Sequence, residues 1–344
     1  MSAKESRRVF VIEQAVKGKI TNRQAAEVLG LSERQVIRLK ERMKADGVAG
    51  LAHKNRGRTP KHAVPKETKE KVVMLARGPL RDASCQQVAE LLEEFYDITL
   101  SAKTIGRILK GAGIPLAHTH RSPRRKKSRD RMPREGLLSQ FDASPFAWLE
   151  DRGPELTLHG SIDDATGKVQ GLYFTLNESL FGYFQVLLQF FGVPRSLYSD
   201  RHTIFFSPKK DKLSIEEELA GQTAPLTQLD RAIAELGINH IPARSPQAKG
   251  RIERLWGTLQ SRLVVELRLA GVSTLEEANA FLPGFIQRFN RRFAVTPACP
   301  EPAYEPCPPP AKLEQILSLR QERKASRGSS ISYILSRPYL PTGR

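Results

Sequence analysis

The sequence predicts a multidomain chain in which an all-α N-terminal third is followed by an α/β body. Three observations carry that expectation. Charge is unevenly placed: the 344 residues have a formal net charge of +18, yet residues 1–135 hold 31 Lys and Arg against 15 Asp and Glu, while the remainder holds 24 against 22. The first third repeats helical periodicity punctuated by Ser and Thr caps and Gly stops. From Leu137 the texture changes to short β-rich runs alternating with helices. At 40% hydrophobic residues, a chain of this length buries at least one sizeable core and divides into two or three domains. A pI near 10.0 with such a charge split points to a polyanionic partner for the basic third, nucleic acid or a membrane surface.

"TNRQAAEVLGLSERQVIRLKERMKADG" (Thr21–Gly47) has a helix-turn-helix pattern. Ala26 is small enough for two helices to cross closely, Gly30 follows at the turn, and Val36 is a core position of the second helix, which Ser32 caps. The other face of that helix offers Arg34, Gln35, Arg38 and Arg42 to a major groove and its backbone. Residues 64–115 read as a second helical DNA-binding unit, whose last helix carries Lys103 and Arg107; a plain three-helix bundle is compatible with that reading. Between the units, Arg56-Gly57-Arg58 reads either as a minor-groove arm or as a solvated linker. A basic linker, 116–135, is expected to lie along DNA phosphates.

The body, 136–296, opens with "LLSQFDASPF", a strand containing Asp142. "ELTLHGSIDDATG" and "KVQGLYFTL" form a hairpin, with Asp163-Asp164-Ala165-Thr166-Gly167 as its turn. "SLFGYFQVLLQFFG" reads as a helix, "RSLYSDRHTIFF" as a fourth strand with Asp200, "TQLDRAIAELG" as a helix and "NHIPARS" as a fifth strand. Then "SPQAKGRIERLWGTL" opens a helix with Ser245 as cap and Pro246 at its first position. Here a lone acid, Glu253, is fenced by Lys249, Arg251 and Arg254. On its own that acid reads first as half of a surface ion pair, the usual meaning of such a run, and second as a metal ligand among phosphate-binding bases.

Three antiparallel strands, a helix, a fourth strand, a helix, a fifth strand and a helix is the order of the RNase H-like fold. The chain resembles DDE transposases and retroviral-type integrases, most closely bacterial insertion-sequence transposases of the ISNCY type. The residues that carry the resemblance are "QFDAS…WLEDRGP", "IDDATGKV", "LYSDRHTIFF", "IPARSPQAKGRIERLWGTLQ" and the run from Phe289 to Pro297. It implies that Asp142, Asp200 and Glu253 are the catalytic, metal-binding triad, since the fold brings these distant acids to one spot. Carboxylate oxygens suit Mg²⁺, with Mn²⁺ as a substitute, and two such ions roughly 3.5–4 Å apart would clamp the attacking and leaving oxygens of a phosphoryl transfer. Lys249, Arg251 and Arg254 would then neutralise phosphates beside the scissile bond.

The implied activity is cleavage and joining of double-stranded DNA at the terminal repeats of a mobile element, by a homodimer or higher oligomer on DNA. Two rivals are a DNA-binding remnant with an idle body and a structure-directed nuclease of the same fold; the basic N-terminal third disfavours the second. Asp163 and Asp164 are expected to serve the turn, Trp256 the core, with base stacking as its lesser alternative, and His202 either packing or a phosphate or metal-bound water. Cys85, Cys299 and Cys307 have no CxxC spacing and the seven histidines no ligand spacing, so zinc and disulfides are not expected. No apolar run approaches the ~18 residues of a membrane span, so the expected location is the cytoplasm, on the nucleoid. Residues 1–47 and 48–63 complete the expected division as the first binding domain and a basic linker. Residues 297–344 are expected to be a proline-rich linker and a truncated, unstructured tail.

Overall fold

A computed structural model describes residues 3–51, 63–117, 129–207, 226–243 and 249–321. The expected arm residues Arg56 and Arg58, the expected cap Ser245 with Pro246, and the last part of the tail lie outside the described residues. The chain forms two compact units, Met1–Lys66 and Glu67–Arg344. Among the described residues no helix is long and apolar enough to cross a membrane.

The first unit is three helices, α1 (Ala3–Val16), α2 (Asn22–Leu29) and α3 (Glu33–Asp46), followed by a short 3₁₀ turn. Thr21 and Gln24 form a capping box on α2, and Ser32 and Gln35 form one on α3, which starts at Glu33, directly after the expected cap Ser32. Gly30 ends α2 at φ +66°, a left-handed conformation that costs glycine little. Val11, Ile12, Ala15, Ala25, Ala26, Val36 and Leu51 make a small core.

The second unit begins with α4 (Lys66–Arg77), α5 (Cys85–Tyr96) and α6 (Ala102–Gly111). A five-stranded sheet follows: β1 (Ser139–Phe146), β2 (Leu156–Asp163), β3 (Val169–Thr175), β4 (Ser196–Ser199) and β5 (Asn239–Pro242). Helix α7 (Leu180–Leu187) links β3 to β4, α8 (Gln228–Glu235) precedes β5, and α9 (Gly250–Leu269), α10 (Leu275–Phe293) and α11 (Pro310–Ile316) follow among the described residues. The strand order is β3-β2-β1-β4-β5, antiparallel from β3 to β1 and parallel from β1 to β5. That order is the RNase H-like arrangement, as the sequence predicts.

Helices cover both faces. Trp148, Leu158, Leu172 and Phe174 pack with α9 and α10, whereas Phe141, Leu197 and Tyr183 pack with α8 and α11. Accordingly all eight residues of β2, His159 among them, are buried. The Ser179 N–H donates to His159 Nε2 at 3.0 Å, and burial lowers this imidazole to about 4. Its stability effect has a definite sign. Above ~6.5 the ring is neutral folded or unfolded; between ~6.5 and ~4 only the unfolded chain takes up the proton. Stability is therefore expected to fall as pH falls through this window, approaching about 1.4 kcal/mol per pH unit. Urea unfolding at stepped pH checks this, and His159→Gln should flatten the slope.

Two expectations are corrected. Helices α4–α6 share one compact unit with the sheet: Val265 of α9 joins their core, and Gln87 Nε2 donates to the Arg262 carbonyl at 2.9 Å. Glu90 pairs with both Arg262 and Arg292, so the contact is polar as well as apolar. The proline-rich stretch is not an unstructured tether through residue 321. Glu305 bridges Val193, the Ala303 N–H donates to the Glu135 carbonyl at 2.7 Å, and Tyr304 receives a bond from Gln170. Ile316 and Leu317 enter the core, while Arg231 donates to the Ile316 and Ser318 carbonyls. Proline-fixed extended backbone lets this segment run over the sheet while its remaining amides bond to the body.

Candidate active site

The polar face of β1 is zipped to α9. Gln140, Asp142 and Ser144 alternate along the strand and so share one face. Gln140 Oε1 accepts from the Ile252 N–H at 3.2 Å, Asp142 Oδ2 from Trp256 Nε1 at 3.0 Å, and Ser144 Oγ from Gln260 Nε2 at 3.2 Å. Two residues of strand advance ~6.6 Å and four of helix ~6.0 Å, so the ladder holds its register. Gly160 lies opposite Asp142 on β2; a Cβ there would stand 2.7 Å from the Trp256 ring, so only glycine leaves room for the indole.

The zipper fixes where the acids stand. Asp142 is mid-strand on β1, and Asp200 directly follows the adjacent parallel strand β4. β4 is shorter than the sequence suggests. The His202 N–H turns back onto Asp200 Oδ1 at 3.1 Å, and residues 202–206 close turns instead of extending. Lys249 joins the two acids: its Nζ is 2.8 Å from Asp142 Oδ1 and 3.7 Å from Asp200 Oδ2. Its side chain is 9% exposed, against 19% and 48% for the two aspartates, so the ammonium is the innermost charge of the three. Glu253 lies one turn further along α9, exposed to solvent. Among the described residues no three metal-capable side chains converge.

Lys249, expected on phosphates, therefore holds the carboxylates. Arg251, expected likewise, donates through Nε to Asp164 Oδ1 at 2.7 Å. Asp164 is fully buried and also accepts from Arg129, from Gln140 Nε2 at 2.9 Å and from the Met132 N–H at 2.9 Å. It thus ties the end of the basic linker, the first strand and the start of α9 together, and clamps residues 129–132 to the body. Asp163 accepts from the Gly136 and Thr166 N–H groups and the Thr166 hydroxyl, while burial raises its carboxyl. Both acids serve the turn and its surroundings.

Other groups add to the field. Tyr183 donates to Glu178 Oε1 at 2.7 Å, and burial holds its phenol well above the ordinary value, with Glu178, Asp142 and Asp200 adding to the shift. The His202 side chain is half exposed, 4.0 Å from Glu178. On the helical elements Arg34, Arg38, Arg42, Lys103, Arg107 and Arg254 are exposed. Gln35 is exposed too, but its Oε1 is engaged by the Ser32 N–H at 3.1 Å.

The sequence reading gives Trp256 to the core, or to stacking on a base, and misses its bond to Asp142, as it misses Gln140 and Asp164 as organisers of the site. The signal was present: an alternating Gln-x-Asp-x-Ser strand facing Ile252, Trp256 and Gln260 at helical spacing. Trp256→Phe keeps most of the ring and deletes one hydrogen bond to a carboxylate. It is expected to lower single-turnover DNA cleavage about tenfold, with DNA affinity unchanged; filter binding and a cleavage time course read the two separately.

A helix-turn-helix domain model matches residues 7–59, and a homeodomain-like domain model matches residues 35–109. A putative transposase, y4bF, of Sinorhizobium fredii is 38% identical over 97% of this chain and 72% of its own length. The transposase for insertion sequence IS1202 of Streptococcus pneumoniae is 34% identical, covering 98% of this chain and 78% of its own. The chain belongs to the insertion-sequence DNA transposases. The transposase also has similarity to solved structures. A simian T-cell lymphotropic virus intasome in complex with PP2A regulatory subunit B56 gamma is 17% identical over 71% of this chain and 73% of that chain, at a TM-score of 0.34. The BIV integrase catalytic core is 15% identical over 45% and 99%, at 0.26. The fold assignment rests on the strand order. As a DNA transposase with helix-turn-helix domains, the protein binds DNA and belongs to the polynucleotidyl transferases.

Proposed function

We propose that the transposase cuts and joins the ends of its own mobile element at Asp142, Asp200 and Glu253, with Mg²⁺, or Mn²⁺ in its place, as the bound cation. The observation that carries this reading is the shared ammonium of Lys249. Two carboxylates from adjacent parallel strands already hold one positive charge between them. The ammonium stands in for a hard cation, and an all-oxygen donor set is what Mg²⁺ takes. When bound, such an ion would activate water or a DNA 3′-hydroxyl and stabilise the leaving oxygen. Asp142 is oriented for this by Trp256, and Asp200 by its own turn to His202. Glu253, four residues past Lys249 and in the first turn of α9, is the third acid of the proposed triad. Arg254 and the displaced Lys249 would meet phosphate.

On the helical elements, Arg34, Arg38 and Arg42 would read and grip the terminal repeats, Gln35 having its oxygen committed to the cap. Lys103 and Arg107 on α6 would hold a further stretch, and Arg56 and Arg58 the segment between. Joining two ends requires two active sites, so a dimer or larger assembly on DNA follows, at work on the nucleoid. A DNA-binding protein with an idle body is the second reading; it is favoured by the lysine-bridged acids if that arrangement persists on DNA.

Nicking and joining of a labelled duplex carrying the element's end, with Mg²⁺ present or chelated, separates the two. Cutting at one fixed position, lost on chelation, is the expected result. Specific binding without cutting in either Mg²⁺ or Mn²⁺ would leave the idle body as the correct reading.

A further inference from the structure

A chain of three side chains ends on the backbone of Asp200. Ser199, the last residue of β4, donates its hydroxyl to the Asp200 carbonyl at 2.9 Å. The same hydroxyl lies 2.7 Å from His240 Nε2 on β5, and His240 Nδ1 lies 2.8 Å from Asp230 Oδ1 on α8. Parallel pairing sets this up, since Leu197 is opposite His240, which leaves the ring within reach of the strand end. Phe206 stacks on the imidazole with centroids 4.6 Å apart and planes 14° apart, and Phe205 packs at 5.8 Å. Ser199 is fully buried and the His240 side chain is 7% exposed.

The residue types are those of a serine hydrolase, but the arrangement is not a hydrolytic site. A nucleophile needs an exposed hydroxyl beside donors for an oxyanion. This hydroxyl is sealed in the sheet and spent on a carbonyl. What the chain does control is direction. Asp200 sits where β4 stops and the backbone turns, with its carboxylate half exposed, and its side chain gains one bond, from His202 N–H. The β4–β5 ladder reaches only the near side of Asp200, where the Ala243 N–H donates to the Ser199 carbonyl at 2.8 Å; the Asp200 carbonyl itself is held by the Ser199 hydroxyl.

We propose that Asp230, His240 and Ser199 are positioning residues that hold the Asp200 peptide, and hence its carboxylate, at the angle needed to share a divalent cation with Asp142. This rests on the metal reading of the two aspartates given above. Partners behind a ligand typically change metal affinity 10- to 100-fold when removed. A bond to the ligand's backbone, as here, belongs at the lower end.

Mn²⁺ binding to the full-length protein, followed by the electron paramagnetic resonance of free Mn²⁺, tests it. Ser199→Ala should weaken binding about tenfold, with Ser199→Thr restoring it to within about threefold. Asp230→Ala should weaken binding in the same direction, and Asp230→Asn, which keeps the acceptor oxygen, should not. In cleavage assays Ser199→Ala should recover at raised Mn²⁺ with unchanged DNA affinity, which a general loss of folding would not allow. Asp200→Asn is run alongside. If it binds Mn²⁺ as wild type does, the metal reading fails and this inference with it. If Asp200→Asn loses Mn²⁺ while Ser199→Ala and Asp230→Ala bind like wild type, the positioning chain alone is overturned.

Discussion

Asp142→Asn, Asp200→Asn and Glu253→Gln are each expected to lower DNA cleavage and joining by roughly three orders of magnitude or more, with binding to end DNA within about twofold of wild type. The substitutions are nearly isosteric, so the fold has no reason to change. What changes is the donor set. Asp142 now uses both oxygens, one for Lys249 and one for Trp256. An amide retains one acceptor and loses the charge, so it serves one partner and offers a cation far less. Glu253 has no structural partner among the described residues; a cost at this exposed position can come only from the chemistry. Single-turnover cleavage of a labelled end, with binding measured separately, reads the result. Glu253→Gln activity near wild type would remove the third acid from the triad.

Lys249→Met should make the DNA-free transposase bind Mn²⁺ about 10- to 100-fold more tightly, the worth of one charge-assisted bond. The ammonium competes for the same oxygens, and a competitor that occupies the site lowers apparent affinity by the fraction it occupies. Methionine keeps an unbranched apolar stem in a nearly buried channel but removes the cation. Without metal the variant should also unfold at lower urea, because the partly buried Asp142 keeps its charge and loses its partner. On DNA the effect reverses in sign: a lysine displaced onto phosphate contributes to binding, so cleavage should fall. Calorimetric titration of the DNA-free protein gives the first number. Unchanged or weaker Mn²⁺ binding would mean that Lys249 supports the cation site and does not occupy it.

Much of this was legible in the residues. Alternating β-rich runs and capped helices give the succession of strands and helices along the chain, because a period of two and a period of 3.6 are written directly into side-chain polarity; their order in the sheet came through the resemblance. Ser32 marks the start of the second helix of the helix-turn-helix by its capping chemistry. The pattern placed Asp142 on its strand and Asp200 in the region of β4, which it directly follows; that the two act together came through the resemblance, not through spacing. Other features were not legible for physical reasons. Lys249 reads as one more base in a basic run, and only three-dimensional distance shows that it reaches back to β1. Asp164 sits in good turn chemistry, so its second task, binding Arg129 and Arg251, leaves no mark on the pattern. The packing of Tyr304 and Leu317 was hidden by proline content, which indicates extended backbone but not whether that backbone lies against a sheet. The docking of α4–α6 on α9 depends on Gln87, Glu90 and Arg262, whose polarity alone suggests an exposed surface.

The most direct test of the account is anomalous scattering from Mn²⁺ in crystals of the transposase assembled on its own cut end. Manganese is expected to be coordinated directly by Asp142, Asp200 and Glu253, with the Lys249 ammonium withdrawn from both aspartates and set against phosphate. Manganese bound elsewhere, with Lys249 still joining Asp142 to Asp200 on DNA, would contradict it.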